Sequence, residues 1–130
     1  MKYIITATAM LIATQASAAE PYGVWQTITD ETGAHLLVNV HPRETDEAKL
    51  CGTIAEVVNS SNPAAKDLIN RPIFWDLEPA EENHWDNGTV FDVPSGKEYN
   101  SRVILGKTAL RVEGCVATFC DGQNWKRPKE

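Results

Sequence analysis

Along most of the chain apolar and polar residues alternate with a period of two. In residues 34–41, Leu36, Val38 and Val40 fall on one face and His35, Leu37, Asn39 and His41 on the other. That is the pattern of a strand with one buried side. Residues 110–116 alternate in the same way, with Leu110, Val112 and Val116 inward and Arg111, Glu113 and Cys115 outward. Residues 99–105 set Tyr99, Val103 and Leu105 against Asn100, Arg102 and Ile104. Turn-forming residues separate the runs: Asp30 to Gly33, Pro94 to Lys97, and Gly106-Lys107. Short strands joined by short turns predict an antiparallel all-β domain, either a sandwich or a barrel.

Two stretches break the alternation. Residues 59–72 are predicted as a long connection, with room for about one helical turn over 64–69 before Pro72 forbids more. Residues 76–86 carry Asp76, Glu78, Glu81, Glu82 and Asp86 and are predicted as a solvated acidic loop. Connections of this length are often where a small domain carries its function.

The first 18 residues are of another kind. Lys2, an apolar stretch through Ala13, and Ala16-Ser17-Ala18 have the three-part layout of a secretory signal peptide. Thr6, Thr8 and Thr14 interrupt a stretch already shorter than the roughly 20 residues a membrane span requires. The expectation is cleavage before Ala19, a single domain over 19–130, and a periplasmic or secreted location without a membrane span. The formal charge of −6 becomes one unit more negative when the leader and its Lys2 are removed. An acidic surface repels phosphate backbones, which argues against a nucleic-acid partner.

An exported chain meets an oxidising compartment, where disulfides form. Of three cysteines, at most two can pair within the chain. If strands starting at Gly23, His35, Leu50, Ile73, Thr89, Glu98, Thr108 and Cys120 run alternately up and down, Cys115 and Cys120 meet at one end. The predicted bridge is Cys115–Cys120, with Cys51 free.

Catalytic and metal chemistry find little to stand on. His35 and His41 share a strand face but lie about 20 Å apart at strand rise, too far for one ion. No Gly-x-Ser-x-Gly elbow occurs, and no cofactor motif is present. The expectation is no metal, no cofactor and no catalytic residue. The tryptophans carry more information. Trp25, Trp75, Trp85 and Trp125 are four large apolar side chains that either fill a core or line a pocket.

The ends of the domain point to one architecture. Gly23-Val24-Trp25 opens the first strand and Trp125-Lys126-Arg127 closes the last. This pairing is similar to lipocalin-type barrels, in which a terminal Arg packs over an early Trp. It implies that Gly23, Trp25 and Arg127 close the barrel, with the Arg127 guanidinium over the Trp25 indole. Further residues extend the likeness: Leu50-Cys51-Gly52-Thr53-Ile54, Asn62-Pro63 with Arg71-Pro72, and Trp85 with Asn87-Gly88. Asp92 with residues 95–99, residues 110–114 and Gln123-Asn124-Trp125 complete the set. Together they resemble the exported bacterial family known as domain of unknown function 2147. The resemblance implies a lipocalin-like barrel and no established reaction. The Arg that the family usually carries before Gly114 is here Glu113.

The fold expected is therefore one antiparallel up-and-down β-barrel of about eight strands, whose closure leaves no exposed sheet edge. A barrel of this size either holds one small ligand or is filled by side chains. In the first case it binds a small apolar or amphipathic molecule between Trp25, Trp85, Tyr99 and Trp125, with Asp92 or Arg127 as polar anchor. In the second it is an envelope protein-interaction module working through its outer face or long loops. A hydrolase is the third and least supported reading.

Overall fold

A computed structural model describes residues 20–128. The leader predicted over 1–18, and Ala19 as the start of the mature chain, lie outside the described residues. The described residues form eight strands: β1 (Gly23–Gln26), β2 (His35–Arg43), β3 (Asp46–Val58), β4 (Pro72–Pro79), β5 (His84–Asp92), β6 (Lys97–Leu105), β7 (Ala109–Val116) and β8 (Phe119–Lys126). Each pairs antiparallel with the next, and β8 returns to β1 to close the barrel. The up-and-down order places the connections after β1, β3, β5 and β7 at one end, which is the mouth. Those after β2, β4 and β6, with both termini of the domain, lie at the other end.

The alternation predicted for β2 and β6 is the alternation observed. Val38, Val40 and Val103 point inward and are buried, joining Leu50, Ile54, Phe74, Leu77 and Leu110 in one core. That core fills the half of the barrel away from the mouth. Gly52 makes space for it, because a Cβ there would stand 2.7 Å from the Phe74 ring.

Three expectations need correction. The acidic segment 76–86 is not a loop. It belongs to a hairpin in which Glu78 faces Asp86 and Pro79 faces Trp85, and only 80–83 turn. The strand ends were hidden because Asp76 and Asn87 both adopt left-handed backbone (φ 60° and 59°), and such bulges shift the phase of the alternation. Arg43 pairs with Asp76, and Lys49 approaches Glu78 at 3.9 Å, so neighbouring strands offset part of the acidity. β3 begins at Asp46 rather than Leu50, since its hairpin runs on past the core where no apolar face is required. In β7, Val116 is 62% exposed, because the inward row runs out of barrel at the mouth.

The helical turn predicted over 64–69 is a short 3-10 helix over Pro63–Leu68. Asn62 caps it by accepting the Ala64 N–H at 3.0 Å. Its return to β4 is tied down by the Asn70 N–H donating to the Ile54 carbonyl at 2.7 Å and by the Ile54 N–H donating to the Arg71 carbonyl at 2.9 Å.

The weakest seam lies between the first and last strands, which share one paired position, Gln26 with Lys126. Side chains hold what the ladder does not. The Arg127 guanidinium lies 3.9 Å from the centre of the Trp25 ring. It donates to the carbonyls of Glu20 and Tyr22 at 2.9 Å and of Val24 at 3.1 Å. Burial lowers the guanidinium from its ordinary value, because losing water disfavours the charged form. Trp25 is 3% exposed, and its indole N–H donates to the Pro21 carbonyl at 2.7 Å. Gly23 has φ of 102°, and a Cβ there would meet Arg127 Nη1 at 3.1 Å. The first Gly-x-Trp and the last Arg are thus one clamp across the barrel's shortest contact.

Candidate ligand cavity

At the mouth end the barrel is hollow. A cavity of about 940 Å³ opens between the strand ends. Its floor is Trp125, Ile73 and Val112, three residues no more than 5% exposed. Leu36, Val57, Val90 and Tyr99 form the walls, and Ala64, Ala65 and Leu68 of the 3-10 helix face it from one side. The Trp125 indole N–H donates to Gln123 Oε1 at 3.2 Å. Its ring is 5.8 Å from Phe74, so the floor is braced against the core.

The rim is polar and acidic. Asp30, His35, Asp92 and Asp121 stand there, with Ile28 and Phe119 among them. Asp30 holds the β1–β2 loop in shape by accepting the Thr32 hydroxyl at 2.6 Å and the backbone N–H groups of Thr32 and Ala34 at 2.8 and 3.0 Å. These bonds to the ionised form, first of all the Thr32 hydroxyl, lower its pKa from the ordinary carboxylate value. Its contribution to stability is therefore present above the unfolded carboxylate pKa and is lost as pH falls through the lowered folded value. Asp92 accepts the Ser95 hydroxyl at 2.6 Å.

Opposite the 3-10 helix the rim is stapled. Cys115 and Cys120 face each other across β7 and β8 and are joined by a disulfide, with Cα atoms 4.1 Å apart. Cys51 is free and buried on β3. The bridge closes a very short loop, for which the chain-entropy relation gives about 2 kcal/mol. Replacing both partners by serine should destabilise the domain by about that amount in urea titrations. Thiol reductant should destabilise the wild type equally and leave the double variant unaffected.

The residues singled out from the sequence fall in two places. Asp92, Tyr99 and Trp125 line the cavity. Trp85 does not: it lies opposite Pro79 and Val103, and packs half-buried against the core near the far end. Trp25 and Arg127 are at the closing seam, so Arg127 is no anchor for anything in the cavity. The aliphatic walls Leu36, Val57 and Val90 are not among those residues. The alternation turns Leu36 inward, but whether an inward position meets core or cavity depends on its height in the barrel. Among the described residues no three His, Cys, Asp or Glu side chains are grouped so as to hold a metal ion.

One more cluster lies on the outer wall beside the cavity. Glu113 points outward, yet its side chain is 4% exposed, because Arg102 and Arg111 lie over it. Arg102 Nε is 2.5 Å from one carboxylate oxygen and Arg111 Nε 3.2 Å from the other. The Glu113 carboxylate raises the Arg102 pKa above its ordinary value, chiefly through that hydrogen bond.

A closed eight-stranded up-and-down barrel, clamped by a Gly-x-Trp and a terminal Arg and hollow at one end, has the architecture of a lipocalin-like protein. Among solved structures the chain is similar to one described as "Protein HP1028 from the human pathogen Helicobacter pylori belongs to the lipocalin family". The TM-score is 0.65 and the identity 20%, over 86% of this chain and 85% of that one. At that identity the likeness concerns the fold. The chain belongs to the bacterial family described as "Uncharacterized protein conserved in bacteria (DUF2147)", whose family model matches residues 23–127. Among curated proteins none matches it.

Proposed function

We propose that this protein is an exported carrier or sensor that holds a small apolar or amphipathic molecule in the mouth-end cavity. The observation that supports this reading is the cavity itself. At about 940 Å³ it lies at the upper end of the roughly 300–1,000 Å³ typical of small-molecule sites. It has an apolar floor and a polar rim, the arrangement that buries a hydrocarbon body and leaves a polar head near water. Asp92, Tyr99 and Trp125 are its ligand-facing residues in this reading. Export is supported by the leader pattern and by the disulfide, which suits an oxidising compartment. Among the described residues no helix is long and apolar enough to cross a membrane.

A second reading, an envelope interaction module, draws on the β7–β8 tip, where Val116 is 62% and Phe119 73% exposed. One titration separates the two. The neutral fluorophore N-phenylnaphthylamine should bind saturably, one per chain, with enhanced emission. Gly114→Trp should weaken that binding by at least about tenfold, or about 1.4 kcal/mol. A Cβ at Gly114 makes only ordinary contacts with Tyr99 and Val90 at 3.4 Å, so the indole can project into the cavity without breaking the wall. The melting temperature of the variant checks that the barrel is intact. Absence of saturable binding, or equal binding by a folded Gly114→Trp, would remove the ligand reading and leave the interaction module.

A further inference from the structure

We infer that the cavity selects its ligand by charge, taking amphiphiles with a cationic head, such as an ammonium, and disfavouring those with a carboxylate head. The inference rests on the ligand-binding reading above and names the chemical class. The site is the apolar cavity; the ionisable groups at its rim decide which head group can stand there.

Among the described residues three carboxylates, Asp30, Asp92 and Asp121, belong to the lining, and no Lys or Arg does. Most nearby cations are committed elsewhere, and Lys66, exposed on the 3-10 helix beside the mouth, is not among the lining residues. Arg111 faces Glu113 on the outer wall and only reaches toward Asp121 at 3.8 Å. Arg71 lies over Phe91 at 5.2 Å, and Arg127 is bound to the far seam. Lys97 pairs with Asp92 across β5 and β6, but its side chain is exposed and lines no part of the cavity. His35 at the rim has its Nδ1 turned to the Gly33 carbonyl at 3.4 Å.

A carboxylate head in this mouth would face like charges, with no Lys or Arg of the lining to meet it. An ammonium would face opposite charges, and the rings of Tyr99 and Phe119 would add their negative faces. The mouth is wet, since the Asp121 side chain is 80% exposed. Solvent screening therefore makes the selection a matter of about one to two orders of magnitude rather than absolute.

The test uses bound N-phenylnaphthylamine and two competitors with the same hydrocarbon chain, dodecyltrimethylammonium and dodecanoate. It is run below their micelle concentrations, in low salt, and at one neutral pH for both. The cation should displace the fluorophore at a concentration at least about tenfold below that of dodecanoate. The gap should shrink in about 1 M salt, where the Debye length is about 3 Å. It should also narrow in Asp92→Asn/Asp121→Asn, which leaves the Asp30 loop in place and whose own fluorophore affinity, titrated first, normalises both competitors. Equal or better displacement by dodecanoate would overturn the charge selection while leaving ligand binding in place. So would a gap unchanged in the double variant, or displacement by neither competitor. If the fluorophore itself does not bind, the ligand reading falls, and the selection falls with it.

Discussion

Trp25→Ala is expected to destabilise the barrel by about 3–5 kcal/mol, the range for deleting a buried large aromatic side chain. Trp25 is 3% exposed and belongs to the core cluster, so its removal leaves a void. It also removes the surface on which the Arg127 guanidinium rests at 3.9 Å, a contact worth about 0.5–1 kcal/mol at an exposed site. The position makes the loss felt, because β1 and β8 share only one paired position. With total stabilities near 5–15 kcal/mol, the variant should unfold at a much lower urea concentration. Arg127→Lys should lose about 1 kcal/mol, since an ammonium cannot reproduce three carbonyl contacts together with the planar stack. A loss below about 1.5 kcal/mol for Trp25→Ala would mean that the seam is held by other contacts.

Arg102→Met/Arg111→Met is expected to cost about 2–3 kcal/mol, somewhat less than the roughly 3–5 of a fully buried pair. Among the described residues Glu113 has no other cation paired with its carboxylate, and methionine keeps much of the apolar cover over it while removing both guanidinium groups. The discount reflects the arginines themselves, 39% and 36% exposed, whose ion pairs water already weakens. Either substitution alone should cost under about 1 kcal/mol, because one guanidinium remains. Adding Glu113→Gln to the double variant should recover more than half of the loss, as the buried charge is then gone. Chemical denaturation of the four variants beside wild type checks the scheme. A double variant as stable as wild type would mean that Glu113 is solvated despite its low exposure.

The arginine cover also shows where reading the chain stops. The alternation in residues 110–116 correctly sends Glu113 outward. It cannot reveal that Arg102, eleven residues earlier, lies across it, since that requires β6 and β7 to be in register. The bulges at Asp76 and Asn87 set a second limit. Each adds one residue to the pattern, so a period-two reading loses phase there and takes two strand ends for a loop. The cavity sets a third. Val103 and Tyr99 sit on the same inward row of β6, yet Val103 is core and Tyr99 faces the hollow, because they differ in height along the barrel.

Most of the strands, the inward faces of β2 and β6, the antiparallel order and the short-range disulfide can be read from the chain alone. These follow from local periodicity, turn chemistry and the meeting of strand ends a few residues apart. The clamp joining Gly23, Trp25 and Arg127 was also legible, through a likeness carried by the two ends of the chain. That the barrel is filled at one end and open at the other, with Trp125 and not Trp85 flooring the opening, is a property of the assembled barrel. So is the sharing of one rim by the carboxylates of three separate segments. Those facts depend on how eight inward rows interdigitate at each level of the barrel, a sum over residues far apart in the chain that no local pattern encodes.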